Sequence, residues 1–195
     1  MSSDGAMPGW EAVLEFWFGP LDRRGPARRE WFRKDAAFDA EIRRRFAPLH
    51  HAAAARECEP WRASAEPMLA LVVVLDQFSR NLFRDDARAF AQDAHARECA
   101  REALGRGDDL ELLPVARQFL YMPFEHSEAL ADQDRAVELM RTLEGFEATR
   151  GLTQWAEKHR AIIHRFGRFP HRNAALGRPS TPAEEAFLEE PGSRF

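Results

Sequence analysis

The side chains that could carry chemistry in this chain lie in three stretches, and the first follows directly after a long apolar run. Eight apolar residues (68–75) lead into the polar-rich stretch DQFSRNLFR (76–84). Asp76 and Arg80 are one helical turn apart, so their side chains can pair on one face of a helix. The other polar residues would share the neighbouring face: Gln77, Asn81 and Arg84. Such a cluster fits a network that satisfies the buried end of a helix, and it fits the wall of a pocket equally well.

The second stretch, FLYMPFEHS (119–127), places a carboxylate next to an imidazole. Glu125 and His126 are residue types that exchange protons in general acid–base catalysis. Adjacent residues on a helix do not face each other, however, so the two are a weak catalytic dyad on their own. Tyr121 is the only tyrosine of the chain, and its hydroxyl either has a specific partner or is simply exposed.

The third stretch (158–183) contains six lysines or arginines and three histidines, but no Asp or Glu. Arginine offers a fork of donors that matches carboxylate and phosphate groups, which favours an anion site here. Alternatively, this stretch neutralises residues 125–147, which hold seven carboxylates, across a helix interface. His159 lies on the apolar stripe of its predicted helix, so it is expected to be a hydrogen-bonded core histidine.

Several motifs that would indicate a particular chemistry are absent from the sequence. There is no HExxH, paired CxxC or EF-hand loop, and His159 and His164 are one residue too far apart for a helical zinc pair. There is also no P-loop, GxGxxG or GxSxG motif. The sequence therefore predicts neither a metal site nor a cofactor.

Composition and charge describe an ordinary globular protein. The net charge of −4, from 28 basic and 32 acidic residues, gives no global attraction to nucleic acid or to anionic membranes. Cys58 and Cys99 lack the spacing of a redox or metal pair and are predicted to be reduced thiols. The N-terminus lacks the pattern of a secretory signal, and the longest apolar run is far shorter than the ~20 residues of a spanning helix. These features predict a cytoplasmic protein that binds neither nucleic acid nor membranes.

The elements that must position these side chains are predicted to be helices. Leu71, Leu75 and Phe78 follow the spacing of one helical face, although the valines at 72–74 are also typical of a buried strand. No other segment offers a strand to pair with, so we predict a helix.

Proline and polar caps mark further helix ends. Pro114 should begin a helix that Pro123 ends, and Thr181 and Glu184 have the form of a capping box. About eight helices with short connections predict an all-α fold of antiparallel hairpins. We expect one domain over residues 8–190, between a disordered N-terminus (1–7) and a C-terminal tail (191–195). No 34-residue repeat is visible, so a regular solenoid is not predicted.

Four motifs closely resemble those of one bacterial family: LEFWFG (14–19), LDQFSRNLFR (75–84), FLYMPFEHSE (119–128) and the basic segment 159–188. The family is DUF924, a group of uncharacterised proteins, and the resemblance covers nearly the whole chain. Ser79 stands where the family usually has proline, and serine there should ease the helical path. The family is similar to tetratricopeptide-like (TPR-like) folds, which implies a stack of antiparallel helices and no known activity.

The resemblance singles out the same polar clusters as candidate sites. The candidate ligand-binding residues are Asp76, Gln77, Arg80, Asn81, Arg165, Arg168, Arg172 and Asn173. The candidates for proton transfer are Glu125, His126 and His171.

Three hypotheses follow. In the first, the three stretches converge on a polar pocket for a small anionic or polar ligand, whose anion is held by Arg80, Arg168 and Arg172. It expects Arg168→Ala to abolish ligand binding and to leave the fold intact. In the second, a TPR-like scaffold binds a peptide or protein partner in an open groove. In the third, the polar residues form one internal network of salt bridges without a cavity.

Overall fold

The computed structural model describes residues 7–20 and 25–193, and these residues form eight α-helices and no strand. The helices are α1 (Trp10–Phe18), α2 (Ala36–Ala54), α3 (65–82), α4 (Asp93–Arg106), α5 (Pro114–Glu125), α6 (Leu130–Arg141), α7 (Leu152–Phe166) and α8 (Pro182–Leu188). Short 3-10 turns lie between several of them, including Ala87–Phe90 and Pro170–Arg172. The predicted all-α fold is confirmed.

The predicted division into a disordered N-terminus, one domain and a C-terminal tail stays a prediction. Residues 1–6 and 194–195, on which most of the disordered terminus and part of the tail fall, lie outside the described residues. Within the described part of the chain, no helix is long and apolar enough to cross a membrane.

Helix α3 is the central element of the fold. Every side chain from residue 68 to residue 79 is buried, and a helix that is apolar on all sides must be enclosed by other elements. Helices α1, α2, α4 and α5 pack against it. The valines at 72–74 belong to this helix, so the choice of helix over strand is confirmed.

The middle of α3 departs from regular α-helical geometry. Its three parts are Ala65–Val72, a π-helical turn at Val73–Phe78, and Ser79–Leu82. Ser79, which was expected to ease the helical path, follows this π-helical turn directly. Its hydroxyl donates a hydrogen bond to the Leu75 carbonyl over 2.5 Å and lies 2.7 Å from His50 Nε2. A serine that bonds back to its own helix tends to bend it, and π turns of this kind are frequent at functional sites.

Aromatic packing fixes the N-terminal helices around α3. The fully buried Trp17 ring lies 5.7 Å from the Phe78 ring and 5.6 Å from the Phe119 ring, both in edge-to-face geometry. Trp31 donates its indole N–H to the Trp17 carbonyl over 2.8 Å. Aromatic pairs in this geometry add stability beyond the area that they bury, so α1, α3 and α5 are held in a fixed arrangement.

Helix α5 extends further than the sequence suggests. It begins at Pro114 as predicted, but it continues through Pro123 and ends at Glu125. Proline inside a helix removes one backbone hydrogen bond, and here the surrounding side chains, Leu120, Tyr121 and Phe124, are all buried and hold the last turn in place. As a result Glu125 lies on the helix and His126 caps it.

The C-terminal part of the chain folds back over α7. Gly167 has φ +69° and ends α7, donating its N–H to the Ile163 carbonyl over 2.8 Å. The left-handed conformation at this position favours glycine. Beyond the loop, Thr181 and Glu184 form the predicted capping box of α8, and Phe187 packs on Phe166 with ring centroids 5.1 Å apart.

Candidate functional site

A buried carboxylate, Asp76, lies at the centre of the polar residues. Its side chain is 1% exposed, and its Oδ1 lies 2.8 Å from His126 Nδ1 and 3.1 Å from Arg80 Nη1. Gln77 donates an amide N–H to Oδ2 over 2.6 Å. Burial by itself would raise the pKa of Asp76, but Arg80 and His126 outweigh it and hold the pKa well below its usual range. Asp76 is therefore an ionised carboxylate inside the protein, and its predicted pairing with Arg80 is confirmed.

Arg80 links α3 to the start of α4. It donates from Nη1 to Asp93 Oδ1 over 2.9 Å and from Nη2 to Asp93 Oδ2 over 3.1 Å, a two-point contact between guanidinium and carboxylate. Burial opposes the charge on Arg80, but Asp76 and Asp93 together raise its pKa. Asp93 was not among the predicted site residues. An acidic residue in the first turn of a helix is common because it complements the helix dipole, so its sequence position gave no signal.

Arg172 approaches the same carboxylate from the C-terminal loop. Its guanidinium carbon lies 4.6 Å from the centre of the Phe90 ring and 4.5 Å from that of the Phe169 ring. Nη1 donates to Asp93 Oδ2 over 3.3 Å, while Nε is buried and makes no hydrogen bond. Burial, followed by the positive charge of Arg80, lowers the pKa of Arg172 to about 10.

A second carboxylate–histidine pair lies next to the first. Glu125 Oε1 is 3.0 Å from His159 Nδ1, which is also 2.9 Å from the Trp155 carbonyl oxygen. The ring centroids of His126 and His159 are 6.5 Å apart. Glu125 and His126 thus do not pair with each other, as the helical geometry predicts, and each has a partner from a different helix. His159 is the hydrogen-bonded core histidine that the sequence predicts.

Burial determines the protonation of these groups. It raises the pKa of Glu125 to about 8, with a contribution from the nearby Asp76 charge. It lowers the pKa of His159 to about 3 and also lowers that of His126, where Arg80 acts in the same direction. Near neutral pH, the second pair therefore consists of a protonated carboxyl and an uncharged imidazole.

His171 completes the group of residues that the structure brings together. Its ring centroid lies 5.5 Å from that of Phe169, and burial, followed by the charge of Arg172, lowers its pKa to about 3. We call this group the central cluster. Its members come from α3, α4, α5, α7 and the C-terminal loop: Asp76, Arg80, Asp93, Glu125, His126, His159, His171 and Arg172.

The loop that carries Arg172 is fixed by Arg178. Arg178 donates to both carboxylate oxygens of Glu128, over 2.8 and 2.9 Å, and its Nε donates to Asn173 Oδ1 over 3.0 Å. Glu128 also accepts the backbone N–H of Phe169 over 2.8 Å. Asn173, a predicted ligand-binding residue, is thus placed where it supports the loop.

Three other predicted ligand-binding residues do not join the central cluster. Asn81 donates to Asp39 over 2.8 Å, a carboxylate that also pairs with Arg84. Arg168 donates to both oxygens of Glu184, over 2.6 and 2.8 Å. Arg165 packs its guanidinium on Phe166 and is largely exposed.

Tyr121 has a specific partner away from the central cluster. Its hydroxyl donates to Asp109 Oδ2 over 2.7 Å, and the side chain is fully buried. Of the two alternatives that the sequence left open, a specific partner is correct.

Two clefts on the described surface lie apart from the central cluster. One of about 610 Å³ is lined by Phe16, Arg28 and Arg45, among others, next to the undescribed residues 21–24. Another of about 250 Å³ is lined by residues of α1, α3 and 111–116. Neither contains a residue of the central cluster. In the described part of the chain, no three His, Cys, Asp or Glu side chains are arranged to hold a metal ion.

Comparison with known sequences agrees with the motifs of the chain. The profile of a family described as "Bacterial protein of unknown function (DUF924)" matches residues 13–192. The chain belongs to the DUF924 family. No curated protein matched the chain in a sequence comparison.

A solved structure has the same fold as this DUF924 chain. It is described as "Structure of Protein of Unknown Function ATU0120 from Agrobacterium tumefaciens" and is 44% identical in sequence. The similarity covers 92% of this chain and 96% of that one, with a TM-score of 0.82. The DUF924 chain thus shares its fold with a protein of unknown function, and any function must be argued from the central cluster.

Proposed function

We propose that the central cluster binds a small anionic or polar ligand, and that Arg172 and Arg80 hold its anionic group. The proposal rests on the burial and the hydrogen bonding of Arg172. This guanidinium is 7% exposed, and its buried Nε makes no hydrogen bond.

An unsatisfied N–H group is costly inside a protein. Leaving a buried donor without an acceptor costs about 1–3 kcal/mol, and more where the donor is charged. Arg172 makes one charged contact among the described residues, with Asp93 over 3.3 Å, and Asp93 is already engaged on both oxygens by Arg80. A carboxylate or phosphate oxygen of a ligand would satisfy the remaining donors of this fork.

The central cluster has an edge that reaches solvent. The side chains of Arg80, Asp93 and His126 are 21%, 13% and 11% exposed, whereas Asp76 behind them is 1% exposed. A ligand approaching this edge would meet Arg80 first and His126 beside it. Asp76 orients His126 through Nδ1, which leaves Nε2 as the nitrogen that can exchange a proton with a ligand.

A thermal-shift screen of the purified protein tests the proposal. The panel contains phosphates, small carboxylates, nucleotides and divalent metal ions. A ligand present at a hundred times its dissociation constant stabilises the protein by about 2.7 kcal/mol. The matched variants are Arg172→Lys, which keeps the charge but removes the fork, and Arg168→Lys, which makes the same change at a position outside the central cluster.

We expect a stabilising anion to act on the parent protein and on Arg168→Lys, and to act more weakly on Arg172→Lys. If no compound of the panel stabilises the parent protein, the proposal is overturned. In that case the central cluster is an internal network of ion pairs, as the third hypothesis holds.

A second candidate function, binding of a peptide or protein partner, is favoured by one observation. Leu110 and Leu113 are 69% and 49% exposed, and Leu113 lines the cleft of about 250 Å³. An apolar side chain of a peptide would bury this surface. Selection from a random peptide library tests it: selected peptides should share an apolar residue and lose binding to Leu113→Glu. If their binding is unaffected by that change, the cleft is not the site.

A further inference from the structure

The fixed charges of the central cluster already cancel in the absence of a ligand. Asp76 pairs with Arg80 over 3.1 Å, and Asp93 pairs with Arg80 and Arg172 over 2.9 and 3.3 Å. Two carboxylates therefore neutralise two guanidinium groups. Glu125 does not disturb this balance near neutral pH, because burial keeps it protonated.

In this buried site the charges already cancel. An anion that enters it therefore adds a negative charge that no positive charge neutralises. A lone charge away from water is strongly unfavourable unless another charge neutralises it. Arg80 and Arg172 are already neutralised, so the compensating charge must come from a group that changes its protonation. Three groups of the central cluster are uncharged near neutral pH and become cations when they bind a proton, and all of them are imidazoles: His126, His159 and His171.

We propose that the site takes up its anion together with one proton from solvent, and that His126 Nε2 binds this proton. The inference rests on the proposed function, and it narrows the ligand class to anions that the site binds as the equivalent of a neutral acid. No covalent bond of the ligand changes in this step. A proton moves from water to imidazole nitrogen, and the resulting imidazolium lies between Asp76 and the ligand anion.

Geometry distinguishes His126 from His159 and favours it as the group that binds the proton. Its Nδ1 lies 2.8 Å from the ionised Asp76, so a protonated ring would already have a carboxylate partner. The side chain is 11% exposed, which gives water access to the ring. His159, in contrast, has its Nδ1 between the Trp155 carbonyl and the protonated Glu125, neither of which carries a full negative charge.

The charged and titratable groups around His126 act on its pKa in both directions. From the surrounding helices and the C-terminal loop, it is faced by Asp76, Arg80, Asp93, His159 and His171. Burial, followed by the charge of Arg80, lowers the pKa of His126, whereas Asp76 and Asp93 raise it. An anion bound to Arg80 would weaken the unfavourable effect of that arginine, so binding favours protonation.

Isothermal titration calorimetry with formate and with acetate, two anions of single charge, tests the inference. Both probes are almost fully ionised from about pH 6 to about pH 8, so their own titration contributes little. Titrations in two buffers with different ionisation enthalpies count the protons that are taken up. We expect roughly one proton per bound anion and an affinity that falls about tenfold for each pH unit across this range.

Two variants identify the group that binds the proton. His126→Asn keeps an N–H close to the position of Nδ1 for Asp76 but cannot be protonated, and it should lose both the proton uptake and the pH dependence. His164→Gln changes an exposed histidine of α7 that lies outside the central cluster and should keep both.

The outcomes separate this inference from the proposed function. If neither formate nor acetate binds the parent protein, this inference fails, whereas the proposed function is decided by the whole panel of the thermal-shift screen. If an anion binds without proton uptake, only this inference is overturned. Uptake that persists in His126→Asn would place the proton on another group and would also overturn it. The titrations of the parent protein show whether a proton is taken up even where a variant does not fold.

Discussion

His126 Nδ1 lies 2.8 Å from Asp76 Oδ1, although the two residues are 50 positions apart in the chain. This contact joins the end of α5 to the π-helical turn of α3. A buried aspartate that accepts a hydrogen bond from the Nδ1–H of histidine fixes the tautomer of the ring and leaves Nε2 available. The contact therefore fixes the orientation of the His126 ring, and in the proposed function Nε2 is the nitrogen that faces the ligand.

Replacing the central carboxylate should destabilise the fold strongly. Asp76→Asn keeps the shape of the side chain but removes the negative charge that faces His126 and one of the two that face Arg80, which keeps Asp93. Breaking a buried ion pair by removing one partner costs about 3–5 kcal/mol, and we expect a loss in the free energy of unfolding at the lower end of this range. Urea denaturation at neutral pH measures it. Glu157→Gln, which affects an exposed pair with Arg141, is the control and should change stability by less than about 0.5 kcal/mol.

The pH dependence of stability should reveal the buried Glu125. Its pKa is raised to about 8 in the folded protein, above the unfolded value of about 4.3. This stabilising contribution is complete below the unfolded value and is lost as pH rises through about 8. His159 and His171 act in the opposite sense, because their pKa values are lowered to about 3. Their contribution is complete above the unfolded value of about 6.5 and is lost as pH falls.

Together these groups predict a maximum of stability near pH 6.5. Above this pH, Glu125→Gln should remove the decline, since a neutral amide has nothing to ionise. Thermal unfolding of both proteins across a series of buffers provides the comparison. A variant whose stability still falls between about pH 6.5 and about pH 8 would show that another group is responsible, because Glu125 is ionised in both states above that range.

Arg168→Ala is expected to weaken the C-terminal helix, which differs from the expectation that the sequence alone suggests. Arg168 donates to both oxygens of Glu184, which is buried and also forms the capping box of α8. Leaving a buried carboxylate with fewer donors costs about 1–3 kcal/mol. Hydrogen exchange should accelerate at the amides of α8 and remain unchanged in α3. Uniform acceleration across both helices would contradict this local effect.

Ser79→Ala tests whether the hydroxyl stabilises the centre of α3. The change removes the contact with His50 Nε2 and the bond to the Leu75 carbonyl. His50 is buried, so its ring nitrogen would lose its partner at a cost of about 1–3 kcal/mol. Chemical denaturation measures the loss, and Ser64→Ala, at the start of the same helix without a side-chain cap bond, should have a much smaller effect.

The sequence predicts local features of this protein well because they depend on neighbouring residues. The spacing of Leu71, Leu75 and Phe78 predicts a helix, and the interval between Asp76 and Arg80 predicts their pairing. Thr181 and Glu184 predict the capping box. Each of these signals is contained within a few positions of the chain.

The sequence does not predict which distant residues meet. Nothing in the first turn of α4 indicates that Asp93 pairs with Arg80 from α3, or that Arg168 pairs with Glu184 rather than with a ligand. Proline rules place the end of α5 too early, because tertiary packing outweighs local preference at Pro123. The candidate site is therefore predictable in composition, while its geometry depends on how the helices pack.

The two rings that pack on Arg172 have a further consequence. The centres of Phe90 and Phe169 lie 4.6 and 4.5 Å from its guanidinium carbon. A free arginine side chain loses about 2 kcal/mol of rotamer entropy when it is fixed in place. In this protein the loss occurs when the chain folds. Arg172 is thus preorganised, so an anion of the proposed function would not have to offset this loss when it binds.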